Sequence, residues 1–232
     1  MNNTPKTPKP RCEVRRLGRR GYQDVWDEQK RLAALRHDNA IADTLLLLEH
    51  PPTLTLGRAA HPEHLLASPE TLAQFGATVL ETDRGGDITY HGFGQLVGYP
   101  ILNLQQAPHC PDLHRYLRNI EEVLIRTLAD FEVTAERFPG YTGVWVECDT
   151  SKPRKIAAIG IKCSRWITMH GFALNVNPDL SHFDWIVPCG IREYSVTSMA
   201  EVLGKSLTID VVMPSVIRHF GDVFRLEILT VE

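Results

Sequence analysis

The sequence predicts an α/β (α+β) fold in which helices pack on a mixed, largely antiparallel sheet. Segments with apolar residues at helical spacing interleave irregularly with short strand-like runs, without the strict alternation that builds an all-parallel sheet. Neighbouring strand runs are joined by short turns rich in Pro, Gly and polar residues, which read as hairpins. A hydrophobic content of 43% and a charged content of 23% over 232 residues match a soluble globular chain able to form one compact unit. The expected organisation is a flexible tail over 1–11 and a single domain over 12–232.

The tail holds three Pro and three Lys or Arg with almost no apolar side chains, too little to order itself by burial. Cys12 to Leu17 reads as a first strand. Tyr22, Val25, Trp26, Leu32 and Ala33 then recur at helical spacing between charged residues, predicting an amphipathic helix that ends near Asn39. Thr44 to Glu49 is a short apolar run and Thr53 to Leu56 alternates, so Pro51 and Pro52 make a rigid turn between two buried strands. Ser68, Pro69 and Glu70 give an N-cap, a first-turn Pro and an acid matched to the helix dipole, and Gly76 stops that helix. Val79 to Thr82 is a strand leading into a glycine-rich stretch, and Gln95 to Leu104 a strand leading out. Asp112 caps a long helix with Leu113, Tyr116, Leu117, Ile120, Leu124 and Leu128 on one face. Strands follow at 133–137, 143–147, 155–163 and 167–176, then helices over 197–203 and 208–224, the last started or kinked by Pro214.

A formal net charge of -3 gives no sign of a nucleic-acid partner, so any acidic partner must meet a local basic patch. The N-terminus has no apolar core of a signal segment, and the longest uniform apolar run is Leu45 to Leu48, so no membrane is expected and the location expected is cytoplasmic. Five cysteines, at 12, 110, 148, 163 and 189, include no C-x-x-C pair, which argues for free thiols over a disulfide framework or a Cys-rich zinc site. His61 with His64, and His109 with Cys110 and His114, lack a third ligand at a standard spacing, so no metal is expected.

The stretch Arg84 to Gln95, R-G-G-D-I-T-Y-H-G-F-G-Q, sets glycines at 85, 86, 92 and 94 around a charged and aromatic core. Only Gly adopts positive φ freely and leaves no Cβ in the way, so this backbone passes close to something. A ligand wall and a glycine-rich hairpin turn fit these glycines equally. Cys189, in V-P-C-G-I, lies between a Pro that fixes the incoming backbone and a Gly that lets the chain turn, a setting able to expose a sulfur beside N–H groups. A thiol with an ordinary pKa near ~8.5 is mostly protonated at neutral pH, so a nucleophilic Cys needs a nearby cation. Lys155, opening the apolar strand K-I-A-A-I-G-I, is the candidate; a strand-end surface lysine is the alternative. His91 and His170, each followed by Gly, read either as acid-base groups or as hydrogen-bonded wall residues, the latter preferred for His170. Arg58, just past a strand end, reads as a solvated loop charge unless a ligand lies within reach.

Several motifs in order then carry a resemblance: R-G-G-D-I-T-Y-H-G-F-G-Q-L-V-G-Y-P-I-L-N-L, P-G-Y-T-G-V-W-V, R-K-I-A-A-I-G-I, H-G-F-A-L-N-V-N-P-D-L, I-V-P-C-G-I and V-T-S-M. Together, over Val14 to Phe224, the chain resembles the lipoyl(octanoyl) transferase family. The resemblance implies a fold shared with the catalytic domains of biotin and lipoate protein ligases. It also implies transfer of an octanoyl group from octanoyl-acyl carrier protein to a lysine on lipoyl domains of 2-oxoacid dehydrogenases or on the glycine cleavage H protein, with no cofactor. Position by position, Cys189 falls on the acyl-thioester nucleophile and Lys155 on the lysine that lowers its pKa. Arg84, Gly85, Gly86, Asp87, Ile88, Thr89, Tyr90 and His91 fall on the first acyl-substrate segment, Ala158, Ile159 and Gly160 on the second, and Gly171, Phe172 and Ala173 on the third. Phe93 departs from the family's usual Pro, which bears on loop shape more than on chemistry.

The residues then suggest a ping-pong acyl transfer through Cys189, with Ile88, Phe93, Ile159 and Phe172 lining an alkyl tunnel, where each buried methylene contributes ~0.8 kcal/mol. Arg11, Arg15, Arg16, Arg19 and Arg20 are candidates for the basic patch. The rival readings are an ATP-dependent lipoate or biotin-type ligase on the same fold, a thioesterase, and a scaffold that only binds the carrier protein.

Overall fold

The computed structural model describes residues 9–187 and 194–231. The run T-L-L-L-L-E decides its architecture. As β2 (Asp43–Glu49) it is buried along its whole length. Successive side chains point to opposite faces, so Leu45 and Leu47 enter one core while Leu46 and Leu48 enter another. A strand without a polar face needs cover on both sides. One cover is the pair α3 (Leu113–Ala129) and α5 (Ile209–Phe224), which bring Tyr116, Ile120, Leu124, Val216 and Phe220 to the first core. The other is α1 (Tyr22–His37), whose Val25 and Leu32 meet Leu46, Leu48, Val97 and Tyr99.

β2 lies between parallel β1 (Arg11–Arg19) and antiparallel β6 (Gln95–Ile101). Beyond β6 the sheet runs antiparallel through β10 (Ile167–Asn175), β9 (Arg154–Ser164), β8 (Tyr141–Val146) and β7 (Glu136–Phe138). Beyond β1 it ends in parallel β12 (Glu227–Val231), and β11 (Ser195–Val196) adds in parallel to β9. A second sheet, in the order β4 (Thr78–Glu81), β3 (Thr53–Leu56) and β5 (Ile88–His91), packs Leu54, Ile88 and Tyr90 against Phe183, Trp185 and Ile186 around a 3₁₀ stretch, Leu180–Trp185. The mixed, largely antiparallel arrangement with packed helices is the one the sequence predicts.

The expected caps form: Ser68 Oγ accepts the Thr71 N–H at 3.2 Å to open α2 (Pro69–Gln74), and Asp112 Oδ1 accepts the Arg115 N–H at 3.0 Å to open α3. Elsewhere the structure corrects the expectation. β5 escapes sequence reading because flanking glycines leave only four residues of pattern. β12 is an edge strand with mostly exposed side chains, so no buried run announces it. The strand expected at 133–137 begins only at Glu136, Val133 being a buried residue ahead of it. α4 (Met199–Leu203) starts two residues late because Ser198 is its cap, accepting the Glu201 N–H at 3.2 Å. Pro214 lies inside α5, which opens at Ile209.

Candidate active site

The glycine-rich stretch is built by close backbone crossings. A Cβ on Gly57 would stand 2.2 Å from the Gly86 carbonyl oxygen, and one on Gly160 would stand 3.0 Å from that of Gly85. Gly57, Arg58 and Ala59 donate their N–H groups to the carbonyls of Asp87, Arg84 and Gly86, and Gly85 donates to Ile161 at 2.8 Å. The R-G-G-D turn is thus laced to the end of β3 and to β9. Arg84 is buried, with its guanidinium donating to the Thr55 carbonyl (2.6 Å), the Thr55 hydroxyl and the Gly85 carbonyl (3.0 Å). It locks the turn in place. Arg58 is exposed.

Behind the turn is a slot of about 50 Å³ lined by Arg84, Gly85, Gly86, Asp87, Thr89, His91, Ala158, Ile159, Gly160, Gly171, Phe172 and Ala173. These are twelve of the fourteen residues predicted for substrate contact. The other two, Ile88 and Tyr90, alternate to the far face of β5 and sit in the core of the second sheet, so the period of the strand removes them from the slot. Of the expected tunnel residues Ile159 and Phe172 face the slot, while Phe93 is exposed beneath the Arg19 guanidinium, 4.5 Å from its ring. Sequence reasoning missed Tyr22 and Tyr99, which close the slot with His91 and His170. Tyr99 lies in a matched motif, and its alternation with Val97 and Ile101 on β6 was the available signal.

The histidines behind the slot are neutral. Burial, with the neighbouring His50, pushes His91 down to about 3, and burial pushes His50 down to about 4. His50 Nδ1–H donates to the Arg20 carbonyl at 2.8 Å, so its Nε2 accepts the Tyr99 hydroxyl at 2.9 Å. His91 Nδ1–H donates to Gln95 Oε1 at 2.7 Å. His170 adopts φ 54, donates Nε2–H to Asp83 at 2.8 Å, and takes its backbone N–H to Gln29 at 2.7 Å. Burial lowers its pKa against the opposing pull of Asp83. His170 is a hydrogen-bonded wall residue.

On the other side of the same turn lies a groove of about 640 Å³, and Lys155 lines it. Gly85, Gly86, Asp87, Ile159 and Gly160 line both spaces, so the groove and the slot share a wall. Lys155 pairs in register with Trp145 and is only 7% exposed, its ammonium 4.8 Å from the Trp145 ring centroid. The surface-lysine alternative therefore does not describe it. His61, His64 and Tyr141 line the same groove.

Cys189 lies outside the described residues. The chain before it is tied down where Val187 N–H donates to the His64 carbonyl (2.8 Å) and Ile186 bridges Leu65. The chain after it is tied where Val196 pairs with Lys155 and Thr197 N–H donates to the Lys155 carbonyl (2.9 Å). The other cysteines are free, and burial raises the thiol pKa of Cys12, Cys148 and Cys163. Among the described residues no three His, Cys, Asp or Glu side chains form a metal site; His64 bonds Asp87 and His109 bonds Asp43. Of the five arginines expected to make a basic patch, Arg11, Arg15 and Arg19 pair with Glu227, with Glu13 and Glu28, and with Glu49.

A glycine-walled slot joined to a lysine-bearing groove on this sheet defines a class. The chain belongs to the lipoyl protein ligase A/B catalytic domain family, whose model matches residues 21–221. It is 52% identical over 215 residues to the octanoyltransferase of Chloroflexus aurantiacus, covering 92% of this chain and 94% of that one, and 49% identical over 221 residues to the octanoyltransferase of Koribacter versatilis, covering 95% and 87%. It is an acyltransferase of this octanoyltransferase group. Its fold matches that of a bi-partite lipoate protein ligase from Thermoplasma acidophilum with a TM-score of 0.71 at 16% identity, over 97% of this chain and 88% of the other.

Proposed function

We propose that the protein moves an octanoyl group from octanoyl-acyl carrier protein to a lysine of lipoyl domains, those of 2-oxoacid dehydrogenases and the glycine cleavage H protein, through a thioester on Cys189. The observation that carries this reading is the shared wall: a buried lysine opens on a groove that joins a narrow, glycine-lined slot. Cys189 is two residues beyond Val187, a reach of at most ~7 Å, and the chain on both sides of it is tied beside that groove. The raised thiols of Cys12, Cys148 and Cys163 suit inert positions and favour Cys189 as the nucleophile.

In this mechanism the Cys189 thiolate, paired with the Lys155 ammonium, attacks the carrier thioester, and Lys155 protonates the departing carrier thiol. Neutral Lys155 then takes a proton from the acceptor ammonium, whose amine attacks the acyl-enzyme and leaves an amide. Thioester exchanged for thioester and then for amide runs downhill without ATP. Residues 12–232 act as one catalytic unit, and free thiols at all four described cysteines suit a reducing cytoplasm.

The test is an intact mass after mixing the protein with octanoyl carrier protein and no ATP. An octanoyl adduct on the wild type that is absent from Cys189→Ser is expected. No adduct, or an equal adduct on Cys189→Ser, rejects the mechanism. An ATP requirement would favour a ligase, and free octanoate without a lipoyl domain a thioesterase.

A further inference from the structure

Acylating an ammonium sheds two protons, since its nitrogen starts with three hydrogens and the amide keeps one. The pair Cys189 and Lys155 accounts for only one of them. Lys155 gives its proton to the carrier thiol in the first half-reaction and recovers one from the acceptor in the second. The amine then bonds to the acyl carbon, the carbon–sulfur bond breaks, and sulfur leaves as the thiolate that pairs again with the Lys155 ammonium. One proton on nitrogen remains without a taker.

The groove holds a second acid-base group suited to it. His64 Nδ1 stands 2.5 Å from Asp87 Oδ2. A carboxylate only accepts, so Nδ1 carries a hydrogen, and in the neutral imidazole the lone pair is on Nε2. Asp87 is itself fixed: it is buried, and its Oδ1 accepts the N–H groups of Ile88 at 2.7 Å and His61 at 3.2 Å. Among the described residues nothing hydrogen-bonds His64 Nε2. Among the described residues the ionisable groups around the imidazole are Asp87, His61 with its ring 5.2 Å away and its own partner Glu63, and Lys155 and Tyr141 in the same groove. This is an imidazole oriented by a carboxylate, the form general bases take.

We propose that His64, held by Asp87, takes the surplus proton from the acceptor nitrogen as the amide forms and passes it to water. The inference rests on the ping-pong reading and assigns to His64 the half-reaction that Lys155 cannot complete alone. Asp87 is a positioning residue here.

Single-turnover kinetics on the full chain test it. The enzyme is loaded with octanoyl carrier protein, the adduct is followed by mass, lipoyl domain is added, and both steps are timed between pH 6 and 9. His64→Gln keeps a donor for Asp87, so the fold is retained. The transfer step should fall about 100-fold, far more than adduct formation, and the imidazole limb of its pH profile should vanish. Imidazole added to His64→Gly should restore part of the transfer rate, and Asp87→Asn should slow transfer more than adduct formation. Wild-type transfer with an unchanged profile in His64→Gln overturns the assignment, as does an equal loss in both steps. Failure of the wild type to form an adduct instead sinks the Cys189 reading, and this inference with it.

Discussion

The slot and the groove share five residues and differ in nearly everything else. The slot holds about 50 Å³, is closed by a backbone crossing at Gly171 that leaves no room for a Cβ, and is backed by His91 and, behind it, His50, both kept neutral by burial. The groove holds about 640 Å³ and is lined by groups that can exchange protons, Lys155, His64, His61 and Tyr141. In the proposed mechanism the slot takes the apolar octanoyl chain, and the groove admits the two protein partners in turn and handles their protons. Separating the tasks lets the Gly85–Gly86 turn be rigid for one and a mere partition for the other.

The sharpest way to break this comparison is to remove the groove's cation. Lys155→Met keeps the volume and the apolar stem but loses the charge, and octanoyl adduct formation should fall about 1,000-fold with the fold intact by circular dichroism. A loss below about 10-fold would mean that the chemistry does not run in the groove. Damage to the slot should look different. A Cβ on Gly171 would stand 2.2 Å from the Gly98 carbonyl oxygen of the neighbouring strand, where backbone must move. Gly171→Ala should lower stability by about 3 kcal/mol in a urea titration and raise KM for the octanoyl donor.

The same contrast explains what was legible in the sequence. Of the glycines that announced close approach, Gly92 and Gly94 leave no room for a Cβ, which would stand 1.9 Å from the Tyr90 hydroxyl oxygen and 2.2 Å from the Asn177 carbonyl oxygen, and Gly86 takes a positive φ of 85; the apolar run of β2 announced a buried strand. Strand period was legible as well, yet β5 was too short to be seen as a strand, so Ile88 and Tyr90, carried over with the whole segment from Arg84 to His91, could not be separated from neighbours that face the slot. His64 and Asp87 are 23 residues apart and meet only because the turn is laced to Gly57–Ala59. No local pattern marks such a pair, and His64 read instead as half of a loose metal motif.

The slot's buried histidines should also set the acid limit of the fold. His91 and His50 bind a proton near 6.5 when unfolded but only near about 3 and about 4 when folded. Above pH 6.5 both states are neutral and the full stability is present. As pH falls below that, the unfolded chain gains protons that the native state refuses, costing about 1.4 kcal/mol per pH unit per histidine down to the folded values. Urea titrations should show stability falling between pH 6.5 and 4, with a shallower slope in His91→Gln. An unchanged slope in that variant would mean that the slot floor is not kept dry.

The smallest expected effect is at the turn that joins β5 to β6, where this chain has Phe93. Arg19 stacks on the Phe93 ring and bonds Glu49 Oε2 at 3.2 Å, while Glu49 Oε1 accepts the Gly94 N–H at 2.7 Å. Phe93 is exposed, so the stack is a surface cation–π contact of about 0.5 kcal/mol, whereas Glu49 is buried and holds the backbone directly. Phe93→Pro should therefore change stability by less than about 1 kcal/mol, the lost stack being offset by the stiffer unfolded chain, and leave the octanoyl adduct unaltered. Glu49→Ala should cost more, because it strips the Gly94 N–H of its acceptor. If Phe93→Pro is instead the more damaging change, the turn is held by its aromatic surface, and the slot wall is less independent of its surroundings than the crossings at Gly57, Gly160 and Gly171 imply.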